Sequence, residues 1–218
     1  MIRPEDWKMI RPEDWLLPGT KLDIRYKAVI AEREAMSAAF VAKSCADSAI
    51  DYAQKAIQSA NRTAEVARGA IGAVPSAHRA RLAAQEASRA SILAQQEAQT
   101  AAIAVSETER LKSIVLNALD SNEPTVAIIS AAAIEAEKAE QAASNAVRAK
   151  DSACRASIVA VKKQVEAETA VKKAGEEAEA SVQRVLQASR AAAQRARQIE
   201  QEREQERAVR AQAAVRQL

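Results

Sequence analysis

The side chains able to do chemistry in this chain are few: one histidine, two cysteines and two tryptophans among 218 residues. The tryptophans carry the sharpest pattern. Met1-Ile-Arg-Pro-Glu-Asp-Trp7 recurs unchanged as Met9-Ile-Arg-Pro-Glu-Asp-Trp15, and Leu16-Leu17-Pro18 follows. Each copy offers a Pro-Glu-Asp helix start and one large amphipathic ring of the kind that anchors binding hot spots. Arg3, Trp7, Arg11, Trp15, Leu16 and Leu17 are therefore read as a partner-binding set. Two other readings stay open: an internal clasp with both indoles capping a bundle, and a duplicated start with no role of its own.

Catalysis has little to stand on. His78 is the only histidine and reads as a surface residue near a helix start. One histidine and two distant cysteines cannot supply a typical four-ligand zinc site. No motif orients a Cys–His nucleophilic pair. Four glycines leave no phosphate-cradling loop. Acid pairs such as Glu176-Glu177 read as surface charge. The expectation is a non-enzyme with no catalytic, cofactor-binding or metal site. Cys45 and Cys154 lie far apart within helical patterns, and are expected to be small buried thiols of a reducing compartment rather than a disulfide.

The elements that hold these residues follow from composition. Alanine supplies 54 residues, aromatics only 2%, and there are 4 Gly and 5 Pro. Ala, Glu, Gln, Lys and Arg dominate, and these are the best helix formers. This is the composition of long helices or coiled coils, not of a globule with a ring-rich core. Lys plus Arg is 32 and Asp plus Glu is 29, interspersed as on a solvated helical surface. No groove-reading motif or stacking aromatic points to specific nucleic-acid binding. The longest uncharged apolar run, 126–134, is too short to span a bilayer. No signal-peptide pattern is visible at the start, so the expected location is cytoplasmic, with a cytoskeletal or ciliary site as its concrete form.

Prolines at 4, 12, 18, 75 and 124 leave three long uninterrupted spans. Thr20 and Asp23 fit a capping box, Ser76 can cap a second helix, and Ser121 or Asn122 a third. Helices are expected at about 20–68, 77–119 and 125–217, the last interrupted only by Gly175. The fold class is all-α: an elongated three-helix bundle or coiled coil with a projecting C-terminal helix. The expected organisation is a docking segment at 1–19, a bundle at 20–175 whose third helix runs 125–175, and a polar extension at 176–218 rich in arginine and glutamate. Ile92, Ile103 and Ile114 recur every 11 residues, as do Leu82, Leu93, Ala104, Val115 and Val126, and in the first helix Ile30, Val41 and Tyr52. Such a period predicts nearly straight or gently right-handed packing. Ser88-Arg-Ala-Ser-Ile-Leu-Ala94 also resembles Cys154-Arg-Ala-Ser-Ile-Val-Ala160.

An alanine seam is poor in burial energy, because the gain scales with apolar area. The bundle is therefore expected to gain stability from protein partners in a larger assembly or from self-association. The function expected on these grounds is a structural scaffold of a filamentous or cytoskeletal assembly, such as a microtubule or ciliary lattice, anchored by the Trp segment. The alternatives are an extracellular silk-like coiled-coil fibre, since the Ala- and Ser-rich runs resemble bee and ant silks in composition, and a coiled-coil adaptor or stress-protective helical protein.

Overall fold

A computed structural model describes residues 20–120 and 125–215 of the chain. Three long helices account for nearly all of them: α1 (Lys21–Gly69), α2 (Val74–Leu119) and α3 (Val126–Val215), with no strand among the described residues. The predicted helix boundaries stand within three residues at every end. The expected bundle is the observed fold.

Local chemistry explains where each helix begins. The Asp23 amide donates to Thr20 Oγ1 at 3.3 Å, so Thr20 caps α1 as its position predicts. α1 ends at Gly69, after which Ala70 turns extended (φ −147°, ψ 109°) and a single 3-10 turn, Ile71–Ala73, leads into α2. Pro75 sits in the first turn of α2, where its missing N–H costs no helical hydrogen bond. Ser76 does not cap that helix. It is buried, and its hydroxyl donates to Glu177 Oε2 at 2.8 Å, a contact to α3 that its distance in sequence conceals. Ser121, Asn122 and Pro124 lie outside the described residues, and the hydroxyl capping α3 belongs to Thr125, which accepts from the Ile128 amide at 3.4 Å. Gly175 leaves α3 unbroken.

The chain divides into two compact units. One is Met1–Ile57 with Ala83–Val165, the other Gln58–Leu82 with Glu166–Leu218. In the first unit α2 runs antiparallel to α1, and α3 returns parallel to it. Ala28 meets Val115 and Ala132, Ala35 meets Leu111 and Ala139, and Ala49 meets Ala94 and Ala160. The up-down-up order follows, with the proline breaks acting as reversals. In the second unit Ala70, Ala73 and Ala174 form the core, with Val66, Ala67 and Ala178 packed around them.

The core row has a period of seven, not eleven. Ala28, Ala35, Ala42, Ala49, Ala56 and Thr63 are fully buried along α1. Ala73, Ala80, Ala87, Ala94, Ala101, Thr108 and Val115 do the same along α2, and Ala132, Ala139, Ala146, Ala153, Ala160, Ala167 and Ala174 along α3. A seven-residue row is the seam of left-handed packing, correcting the straight or right-handed expectation. The isoleucines that suggested eleven lie on the outside: Ile92 is 54% exposed, Ile103 70% and Ile114 39%. Large side chains drew attention to the wrong face because small ones build the core. Alanine brings helix backbones close, and the loss in apolar area is offset by dispersion contact along the seam. The two threonines in the rows cause no polar cost. Thr63 donates to the carbonyls of Ser59 and Ala60 at 3.1 and 2.8 Å, and Thr108 to that of Val105 at 2.7 Å.

The second unit contains one tight approach. A Cβ built on Gly72 would stand 3.3 Å from the Glu177 carbonyl oxygen and 3.7 Å from Ser181 Cβ. A branched side chain there would press the 3-10 turn away from α3 and strain the Ser76–Glu177 hydrogen bond. Gly72→Val is expected to cost about 1–2 kcal/mol, the usual scale of modest overpacking. Chemical denaturation of variant and parent checks this, and an unchanged midpoint would show that the turn does not rest on α3.

Candidate interaction surface

The clearest covalent feature is one that the spacing of the cysteines did not announce. Cys45 of α1 and Cys154 of α3 form a disulfide across the first unit, with Cα atoms 5.0 Å apart. Neither cysteine is free, so the expected reduced pair is corrected. The physical reason is register. Folding the chain at its two breaks lays α3 parallel to α1, which brings the two cysteines to the same level of the bundle within about one turn. The cue was present in the break positions, but it needs the topology before it can be read.

The disulfide adjoins the two related heptapeptides. Ser88–Ala94 of α2 and Cys154–Ala160 of α3 pack against each other in the antiparallel pair. Ala90 and Ala94 share a buried cluster with Ala156 and Ala160, closed on the α1 side by Ala46 and Ala49. Ion pairs and hydrogen bonds fix the register: Lys163 reaches Glu86 at 2.7 Å, and Ser152 donates to Glu97 at 3.1 Å. The two copies thus face each other in opposite directions, inner alanines matched. Outside them lies a shallow groove lined by Glu86, Arg89, Ala90, Leu93, Ala156 and Val159. Leu93 and Val159 are 45% and 43% exposed, so equivalent positions of the two copies present apolar side chains to the surface. Ile92 and Ile158, also equivalent, are exposed as well.

A second apolar stripe runs along the first half of α1. Leu22, Val29 and Met36 follow at seven-residue steps, and Phe40, the only phenylalanine, is 76% exposed beside them. Contiguous exposed apolar patches are the kind of surface that marks protein, membrane or ligand interaction sites. The polar groups carry no sign of a reaction centre. His78 is exposed at the start of α2, as its position predicts. Among the described residues no cluster of three or more His, Cys, Asp or Glu could hold a metal, and every buried side-chain N or O has a partner. Arg110 grips Glu107 through Nε and Nη2 at 3.0 and 2.7 Å. That hydrogen bonding holds the Glu107 carboxyl below its ordinary range, yet both side chains lie largely open to solvent and the pair is a helix-surface bridge. Lys112 of α2 binds both Glu32 oxygens of α1 at 2.8 and 2.7 Å.

Arg3, Trp7, Arg11, Trp15, Leu16 and Leu17 lie outside the described residues. No helix among the described residues is long and apolar enough to cross a membrane.

No family model matches the sequence, and neither does any curated protein. Among solved structures the chain is similar to a metacyclic invariant surface protein from Trypanosoma brucei. The two share 15% identity with a TM-score of 0.54, over 71% of this chain and 94% of that one. At that identity the likeness concerns the fold alone: a helical bundle found in a second protein of very different sequence.

Proposed function

We propose that this chain is a non-enzymatic helical-bundle protein that works outside the reducing cytosol, as a structural or contact-making component at a cell surface or in an extracellular layer. The observation that carries this reading is the Cys45–Cys154 disulfide. Disulfides persist in oxidising compartments and are rare where glutathione keeps thiols reduced. An alanine core is weak in burial energy, so a covalent tie between its first and third helices is the kind of reinforcement that an exposed protein needs. The fold likeness supports the same direction, since the similar structure is that of a surface protein. The apolar groove beside the twin heptapeptides and the stripe on α1 are the surfaces through which contacts would be made. Cytoskeletal lattice membership, the expectation from composition, draws no support from the disulfide or from the fold likeness.

The test is the redox state of the two cysteines in the cells that make the protein. Free thiols are blocked with an alkylating reagent at lysis, and peptides are then mapped by mass spectrometry. The expected result is a Cys45–Cys154 peptide pair with no blocked thiol at either position. Quantitative alkylation of both would sink the extracellular reading and return the protein to the cytosolic filament class.

A further inference from the structure

Beyond the bundle, α3 continues as a helix exposed on every side. Residues 182–205 and 207 are all exposed. Such a stretch is usually solvated and polar all round, but here it carries a seam. Ala178, Val182, Val185, Ser189, Ala192, Ala196 and Ile199 alternate at steps of four and three. Val182 is 54% exposed, Val185 68% and Ile199 50%. The seam is continuous with the core row of α3, which ends at Ala174, and one extra four-residue step joins them. The residues that seal the row inside the bundle therefore have successors with nothing sealing them.

The charges flanking the seam select its occupant. With Val182, Ser189, Ala196 and Arg203 at the first core position and Val185, Ala192 and Ile199 at the second, the flanking positions hold Arg195 and Glu202 on one side, Glu200 and Arg207 on the other. In a parallel, in-register pair each flanking residue meets the one five places further along the other helix. Arg195 then faces Glu200 of a second copy and Glu202 faces Arg207, and symmetry repeats both pairs. An antiparallel pair keeps only the Arg195–Glu202 contact. Arg203 and Glu206 are the charges at the core positions, and they mark where the apolar seam ends. We propose that residues 182–207 of α3 pair with the same residues of a second copy as a parallel two-stranded coiled coil.

The experiment uses the full oxidised chain in sedimentation equilibrium across the micromolar range. A reversible dimer is expected. Ile199→Asp should weaken it by tenfold or more, and Arg195→Glu by roughly tenfold, since two repeated pairs turn from attraction to repulsion. Arg195→Glu combined with Glu200→Arg should restore the parent affinity, because the two residues are five apart and do not meet within one helix. Ala196→Cys should form a covalent dimer on oxidation through its own counterpart. Circular dichroism keeps loss of helix distinct from loss of pairing. A monomer at every concentration, a dimer indifferent to Ile199→Asp, or failure of the double charge reversal to rescue would each overturn the proposal.

Discussion

Replacing Cys45 and Cys154 together by alanine is expected to lower stability by about 2–5 kcal/mol, the range found when a native disulfide is removed. The bond joins residues 109 apart in sequence, so it closes a long loop and removes much conformational freedom from the unfolded chain. The chain has little else to compensate. Leu111 and Val115 are the largest fully buried side chains, and nearly every other fully buried residue is alanine. At about 0.8 kcal/mol for each buried CH2, an alanine row contributes far less than the leucine row of an ordinary bundle. Denaturant unfolding of the oxidised parent, the reduced parent and the double variant checks the effect. The reduced parent and the variant should unfold at similar midpoints, well below the oxidised parent. Three coincident curves would mean that the helices hold their places without the tie.

Ala101→Leu is the second large effect, and its sign is diagnostic. Ala101 is fully buried where Ala42, Ala149 and Ala153 meet it from the other two helices. If the helices stood apart as in a leucine-lined bundle, leucine would fill space and gain roughly 2 kcal/mol from its extra carbons. With four alanines in contact, the larger side chain must push a backbone aside. The nearby Cys45–Cys154 bond prevents α1 and α3 from separating to admit it. A loss of about 1–3 kcal/mol is expected, the usual cost of overpacking. Thermal unfolding monitored by circular dichroism checks it. A stabilised variant would show that the seam is looser than the burial of its alanines implies.

The likeness between the two heptapeptides illustrates how far local sequence reaches. Ser88–Ala94 and Cys154–Ala160 resemble each other in the sequence, but only the reversal between α2 and α3 places them side by side with their alanines inward. Ser76 shows the same limit from the other side. Its position before a run of helix formers made it a cap, whereas the return of α3 supplies Glu177 and makes it a buried partner. Thr20 fulfilled its expected role because a cap is a contact over three residues, and nothing distant competes for its hydroxyl.

What the sequence determined by itself is whatever depends on neighbours one or two turns away: three long helices, their breaks at Gly69–Pro75 and around 120–124, and a surface of mixed charge. Helix propensity, capping and proline act at that range. Only the tertiary structure decided which face of each helix is the core. Fully buried alanines at seven-residue steps won over isoleucines at eleven, because close backbone packing rewards small side chains and leaves larger ones outside. It alone decided the fate of the cysteines too. Two thiols 109 residues apart become bond partners when the chain reverses twice, and that covalent tie is the observation on which the extracellular proposal rests, against a cytoplasmic expectation drawn from the lack of a signal-peptide pattern.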